Sequence, residues 1–162
     1  MRQIFFLRHG QAEPNNVLGD AERNLTETGR KQAKAAAMAM KKLRIRPGKV
    51  FFSPFNRANQ TAEIVADAMR IKELEEDEAL IPAGYADVVA DLIFKSNDKN
   101  LLVVSHLPLL PHVAAHLLGG PVQINLNPGS MMHLTIMGGQ GSHGSAALTG
   151  LWDASLLQHL AR

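Results

Sequence analysis

The chain opens with Ile4-Phe5-Phe6-Leu7-Arg8-His9-Gly10, in which four apolar residues run directly into an arginine, a histidine and a glycine. A short continuous apolar run of this kind is typical of a buried parallel strand. Two further runs have the same character: residues 49–53, which stop at Pro54, and residues 101–105, which stop at His106. Longer stretches of helical periodicity separate them. This alternation predicts an α/β fold, a three-layer α/β/α sandwich with a mostly parallel sheet.

The predicted helices lie between and after these strands. Thr26 is placed to cap the first helix, which runs to about Arg44 and ends before Pro47-Gly48. The other predicted elements are helices at residues 57–69, 86–94 and 107–118, and closing strands at residues 131–137 and 147–152. The glycine-rich segment over residues 138–145 lacks the spacing of a phosphate-binding loop, and we interpret it as a surface turn.

Length and composition indicate one globular domain over residues 1–162, with 46% hydrophobic and 20% charged residues. The absence of cysteine excludes disulfides, zinc–thiolate centres and thiol nucleophiles. A net charge of +2 without a cluster of lysines and arginines argues against nucleic-acid binding. No stretch approaches the roughly 20 apolar residues of a membrane span. We therefore expect a cytoplasmic monomer without membrane insertion.

The residues that follow the strands carry the chemistry. Arg8 and His9 come directly after the first strand, Arg57 lies shortly after the second, and His106 comes directly after the third. Ligands of open α/β sheets bind beyond the carboxyl ends of the strands, so we expect these side chains to converge. Two arginines and two histidines would form a compact cationic pocket, which suits a phosphoryl group.

These motifs resemble those of the histidine phosphatase (phosphoglycerate-mutase-like) superfamily. The similarity rests on Arg8-His9-Gly10, Leu25-Thr26-x-x-Gly29, Ser53-Pro54-x-x-Arg57-Ala58-x-Gln60-Thr61-Ala62 and His106, in that order along the chain. The resemblance implies a phosphoglycerate-mutase-like fold. It also implies that His9 is the nucleophile and becomes phosphorylated, while Arg8, Arg57 and His106 hold the phosphoryl oxygens.

One feature departs from the mutases and phosphomonoesterases of this superfamily. Their general acid lies in the segment after the second helix, where this chain has Pro82. An alkoxide leaving group needs a proton from such an acid, whereas an imidazole leaving group depends on it far less. The departure, the short chain and the stretch Val104-Ser105-His106-Leu107-Pro108 resemble the bacterial SixA-type phosphohistidine phosphatases instead.

That resemblance implies several further properties. The substrate would be a phosphorylated histidine-containing phosphotransfer (HPt) domain of a hybrid sensor kinase in a two-component phosphorelay. Arg23, just before Asn24-Leu25-Thr26, would be a further phosphate ligand. No Asp/Glu cluster has the spacing of a Mg²⁺ site, and arginines could take the place of a metal, so we expect catalysis without a cofactor or metal.

Other residues receive a structural interpretation. The acidic run over residues 75–78 is predicted to be a solvated turn. His112 and His116 have the i, i+4 spacing of a helical metal pair but no third ligand, and are assigned to helix packing. Asn15, Asn16 and Asp20 are expected to border the pocket without an assigned role.

Two alternatives remain open. A phosphomonoesterase of the same superfamily would act on a small phosphate ester, with Glu78 or Asp87 as its general acid. A binding module would recognise a phosphorylated partner without turnover, which the candidate nucleophile His9 argues against.

Overall fold

A six-stranded sheet forms the centre of the protein in a computed structural model that describes residues 1–138 and 142–162. Within these residues the strands are β1 (Arg2–Arg8), β2 (Lys49–Phe52), β3 (Glu73–Glu76), β4 (Asn100–Ser105), β5 (Met131–Ile136) and β6 (Ala146–Trp152). The α-helices are α1 (Glu27–Lys42), α2 (Asn56–Met69), α3 (Ala86–Lys95), α4 (Leu109–Leu118) and α5 (Ala154–Leu160). Short 3₁₀ turns occur at Asp20–Glu22 and Glu78–Leu80.

The strand order is β3-β2-β4-β1-β5-β6. The first four strands in this order are parallel to one another, β5 pairs antiparallel with β1, and β6 pairs antiparallel with β5 at the edge of the sheet. Helices α1, α2 and α5 cover one face, and α3 and α4 cover the other. The predicted three-layer sandwich with a mostly parallel sheet is confirmed.

Burial on both faces explains why the strand sequences are almost continuously apolar. Phe6, Leu101 and Val103 point into the core beneath α3 and α4, whereas Leu7 and Leu102 point into the core beneath α1 and α2. A central parallel strand with both faces covered has no solvent-facing side and therefore no polar alternation.

Helix α1 begins where the sequence predicts. The Thr26 hydroxyl accepts a hydrogen bond from the backbone N–H of Gly29, which satisfies one of the free amides of the first turn. Glycine is required here by a close approach, because a Cβ on Gly29 would lie 2.0 Å from the carbonyl oxygen of Gln11. The start of α1 is thereby packed directly against the loop that follows β1.

The structure corrects the interpretation of the acidic run. Glu75 and Glu76 are not in a turn but form the end of β3, which pairs with β2 alone. All four side chains of this edge strand are exposed, and none of the apolar alternation that identifies a strand is present. Charged side chains on an exposed edge also discourage pairing with another chain.

The remaining differences concern element ends. Helix α5 has no counterpart in the prediction, because its seven residues are too few for a periodic pattern. Helix α4 begins at Leu109 rather than at Leu107, since the residue before Pro108 disfavours helical backbone angles. Part of the predicted surface turn over residues 138–145 lies outside the described residues. Among those described, no helix combines the length and the apolar character that crossing a bilayer demands.

Candidate active site

The sheet brings four predicted site residues to one edge. Arg8 is the last residue of β1, His9 follows it, and His106 follows β4; Arg57 lies in the first turn of α2. Because Arg8 pairs with Ser105 across the parallel ladder, the two histidines that follow are neighbours, with ring centroids 5.0 Å apart. We call these four residues, whose catalytic role is a prediction from the sequence, the catalytic cluster.

Three residues of the catalytic cluster are buried despite their polarity, and Arg8 is half-buried. His9 is 6% exposed, Arg57 4% and His106 1%. Charged and polar groups at this depth need hydrogen-bond partners or a ligand to offset the loss of hydration. The hydrogen-bond partners of each nitrogen therefore indicate which ligand the site can bind.

His9 has a defined tautomer. Its Nδ1 lies 2.7 Å from the backbone oxygen of Gly10, and since a carbonyl only accepts, Nδ1 carries the proton. Nε2 is left with its lone pair, toward which the Arg57 Nε donates at 3.2 Å. A histidine held in this way presents one nucleophilic nitrogen at the edge of a guanidinium.

The surroundings keep His9 neutral. Burial lowers the pKa of His9 to about 3, an effect that the charges of Arg57, Arg8 and Arg23 reinforce and the Gly10 hydrogen bond only partly opposes. The lone pair of Nε2 is therefore available throughout the neutral range, as nucleophilic attack requires.

The Thr61 hydroxyl joins the turn that follows β1 to α2. The backbone N–H of Gly10 donates to the Thr61 hydroxyl at 3.1 Å, and that hydroxyl donates to the carbonyl oxygen of Arg57 at 2.7 Å. The hydrogen bonds fix the turn that carries His9 against the helix that carries Arg57. The Gly and Thr of the sequence motifs thus position the two residues relative to each other.

Asp20, which the sequence analysis placed at the border of the pocket without a role, is the hydrogen-bond partner of Arg57 and Arg23. Its carboxylate accepts from Arg57 Nη2 at 2.9 Å and from Arg23 Nη1 at 2.9 Å, and its backbone oxygen accepts from Arg57 Nη1 at 2.7 Å. These arginines lower the pKa of the Asp20 carboxyl, so it is ionised at neutral pH.

Arg8 and His106 keep unpartnered nitrogens. Arg8 Nη1 donates to the backbone oxygen of Leu126 at 2.7 Å, but its Nε is buried without a hydrogen-bond partner among the described residues. Nδ1 of His106 is also buried and unpaired there. Orphaned buried nitrogens are costly, and two in one cluster indicate a site built for a ligand that accepts hydrogen bonds.

Ser53 is a site residue whose role sequence reasoning missed. Its hydroxyl oxygen accepts from the backbone N–H of Phe55 at 3.3 Å and lies 2.7 Å from Nε2 of His106. A hydroxyl can donate while its oxygen accepts from Phe55, and when it donates to Nε2 the His106 proton lies on Nδ1, where it can serve an oxyanion. Burial and the neighbouring His9 and Arg57 lower the pKa of His106 to about 2, which keeps the ring neutral.

Arg23 lies beside the catalytic cluster rather than within it. Its Nε donates to the backbone oxygen of Glu13 at 2.7 Å, and Asp20 links it to Arg57. Its charge nevertheless reaches His9, whose pKa it lowers. The predicted role of Arg23 as a phosphate ligand stays a prediction.

The candidate acids of the alternative reading lie apart. Glu78 is exposed in a 3₁₀ turn, and Asp87 accepts from the backbone N–H of Val88 at the exposed start of α3. Neither forms a hydrogen bond with the catalytic cluster. Within residues 1–138 and 142–162, Asp20 alone brings a carboxylate into hydrogen-bond contact with it.

The histidines outside the cluster have other surroundings. His112 is exposed, so its assignment to helix packing is wrong: it lies on the solvent side of α4. His116 is half-buried and bonds to the Ser142 hydroxyl at 2.8 Å. The described part of the chain contains no group of three or more His, Asp or Glu side chains arranged to hold a metal ion.

Comparison with known proteins identifies the family. The profile of the Histidine phosphatase superfamily (branch 1) matches residues 4–88. Phosphohistidine phosphatase SixA of Escherichia coli K12 is 32% identical over 122 residues, covering 73% of this chain and 75% of that protein. The phosphohistidine phosphatase SixA homolog of Haemophilus influenzae Rd is 34% identical over 143 residues, covering 81% of this chain and 86% of that protein.

A solved structure gives the same result. The protein histidine phosphatase SixA complexed with tungstate superimposes with a TM-score of 0.85 at 26% identity, covering 94% of this chain and 97% of that chain. The family matches span β1 to the start of α3 and so include Arg8, His9 and Arg57. The chain therefore belongs to the histidine phosphatase superfamily, as a SixA-like member of its branch 1.

Proposed function

We propose that the protein is a phosphohistidine phosphatase that removes the phosphoryl group from a histidine of another protein through a phospho-His9 intermediate. The observation that carries the proposal is the state of Asp20, the carboxylate that touches the catalytic cluster. Two arginines hold it ionised, so it has no proton to give a leaving group. A phosphate ester needs that proton, whereas a phosphohistidine, whose leaving group is an imidazole, depends on it far less.

The reaction takes two displacements. The unphosphorylated ring nitrogen of the substrate histidine takes a proton from solvent, the Nε2 lone pair of His9 attacks phosphorus, and the P–N bond to the substrate breaks with its electron pair on that ring, which leaves as neutral imidazole. Water then attacks the phosphorus of phospho-His9, the second P–N bond breaks with its electron pair returning to His9 Nε2, and the oxygen and protons of the water leave as part of inorganic phosphate. Both steps need alignment and charge neutralisation more than covalent help from the protein.

The rest of the catalytic cluster supplies that neutralisation. Arg57 lies beside the attacking nitrogen at 3.2 Å, and Arg8 Nε and His106 Nδ1 have no hydrogen-bond partner to give up within residues 1–138 and 142–162. Preorganised donors of this kind stabilise charge that develops on equatorial oxygens. We propose that these residues and Arg23 bind the phosphoryl group and that no metal ion is required, because the arginines provide the positive charge.

The proposed substrate is a phosphorylated HPt domain of a hybrid sensor kinase, and the role is regulation of a two-component phosphorelay in the cytoplasm. The support is that the relatives are named phosphohistidine phosphatases.

The experiment measures phosphate release from a phosphohistidyl HPt domain and from a panel of phosphomonoesters, with chelator present. We expect His9-dependent release from the phosphohistidyl protein, abolished in His9→Ala and retained in His112→Ala, an exposed histidine outside the cluster. Faster turnover of a phosphomonoester, lost in Glu78→Gln or Asp87→Asn, would instead support the phosphomonoesterase. Binding of the phosphoprotein without turnover would support a recognition module.

A further inference from the structure

Three large apolar side chains project into solvent at the edge that carries the site. Val17 is 102% exposed, Leu18 76% and Tyr85 74%. Apart from Met1, the next most exposed large apolar side chain among the described residues is Met137, at 63%. Val17 and Leu18 belong to the loop that leaves β1, and Tyr85 ends the segment that leaves β3. We call these three side chains the apolar rim.

The two halves of the apolar rim flank the catalytic cluster. The loop with Val17 and Leu18 packs on α2, where Asn56 and Gln60 hydrogen-bond to it, on one face of the sheet. Tyr85 precedes α3, which covers the opposite face. Strands β1 and β3, from which the two segments leave, are separated by β4 and β2 and therefore lie about 14 Å apart in the sheet.

Both halves are tied to site residues. Leu18 lies in a turn closed by Asn16, whose side chain accepts from the Leu18 N–H at 2.8 Å, and Asp20, two residues later, holds Arg57. On the other side, Ser105, which precedes His106, donates to the carbonyl oxygen of Leu80 at 2.7 Å. The backbone of both segments is therefore hydrogen-bonded beside residues of the site.

A substrate small enough to be enclosed by the pocket would not reach across such a rim. Exposed apolar side chains beside a polar pocket mark contact with a broad partner surface. We propose that the apolar rim docks the folded protein that carries the phosphohistidine, contacting apolar side chains on both sides of it. This inference rests on the proposed function and adds the surface by which the enzyme distinguishes its protein substrate from small phosphorylated compounds.

The test compares two substrates in the full-length protein. We would measure kcat/KM for a phosphohistidyl HPt domain and for phosphoramidate, a small compound with a P–N bond. The variants are the double substitution Val17→Ser with Leu18→Ser, and Tyr85→Ser. Met137→Ser is the matched control, because Met137 is similarly exposed but follows β5 at the opposite edge of the sheet.

We expect the ratio of kcat/KM for the protein to that for phosphoramidate to fall about tenfold in the double variant, mainly through KM, since both apolar side chains on one side of the pocket are removed. The ratio stays unchanged in Met137→Ser. If the wild type is active and this ratio is the same in all rim variants, the docking proposal is wrong and the proposed function still stands.

Two other outcomes also decide the matter. If the wild type releases no phosphate from the phosphohistidyl protein, the proposed function fails and the docking proposal fails with it. If sedimentation shows a dimer that the rim substitutions dissociate, a second copy of the chain covers the rim, and the docking proposal is wrong.

Discussion

Burial of two neutral histidines makes the stability of this protein sensitive to mild acid. The pKa is about 3 for His9 and about 2 for His106, against about 6.5 in an unfolded chain. A lowered folded-state pKa means that the unfolded chain takes up protons first as the pH falls. The stabilisation is therefore fully present above pH 6.5 and is lost progressively as the pH falls below it.

The magnitude follows from the width of that window. Each pH unit below the unfolded pKa costs about 1.4 kcal/mol per histidine that stays neutral in the folded state. Between pH 7.5 and 5.5, His9 and His106 together should reduce the free energy of unfolding by about 2.7 kcal/mol. That is a large part of the 5–15 kcal/mol by which domains are typically stable. Asp20 and Asp153, whose pKa values are also lowered, titrate below this window.

Urea unfolding at the two pH values measures this difference. We expect the wild type to lose about 2.7 kcal/mol more between pH 7.5 and 5.5 than a variant with both His9→Asn and His106→Asn. His112→Asn is the control, because it replaces an exposed histidine and should keep the wild-type loss. Burial also lowers the pKa of His133, but its contribution is common to all three proteins. Equal losses in the wild type and the double variant would refute the reasoning.

Three further substitutions test the contacts around the pocket. Asp20→Asn should bind tungstate up to about fivefold more tightly, measured by calorimetry. The half-exposed ion pair with Asp20, worth about 1 kcal/mol, then no longer competes for the Arg57 guanidinium. Weaker binding would show that the carboxylate is needed to hold the arginines. Ser53→Ala should change the two-bond ¹⁵N–¹H correlations of His106 from a pure Nδ1–H pattern to a tautomer mixture; an unchanged pattern would mean that another group sets the tautomer. Gly29→Ala should lower the melting temperature by about 10 °C or more, since its Cβ would lie 2.0 Å from a backbone oxygen, whereas Gly120→Ala, which meets no atom within 4 Å, should not.

The parts of this structure that sequence could predict share a local cause. Continuous apolar runs identify β1, β2 and β4 because both faces of these strands are covered. Once the strands are parallel, their carboxyl ends share an edge, so the convergence of His9 and His106 follows without knowledge of side-chain packing.

The parts that could not be predicted depend on contacts between distant segments. Asp20 meets Arg57 across 37 positions of sequence, and only the folded path of the loop after β1 brings them together. Ser53 meets His106 across 53 positions, through the adjacency of β2 and β4, which the order of strands along the chain does not reveal. Strand β3 could not be predicted for a different reason: its exposed glutamates have no apolar periodicity.

The same electrostatic arrangement accounts for the proposed nucleophile and for the proposed leaving group. Burial and the arginines near His9 leave its Nε2 unprotonated and available for attack. Arg57, together with Arg23, also holds the Asp20 carboxylate ionised and removes the proton that an alkoxide leaving group would need. The positive charge that keeps the His9 Nε2 unprotonated also deprotonates any carboxylic acid close to the arginines. Chemistry on phosphate esters would thus require an acid outside the reach of these charges, whereas a P–N bond to imidazole tolerates its absence.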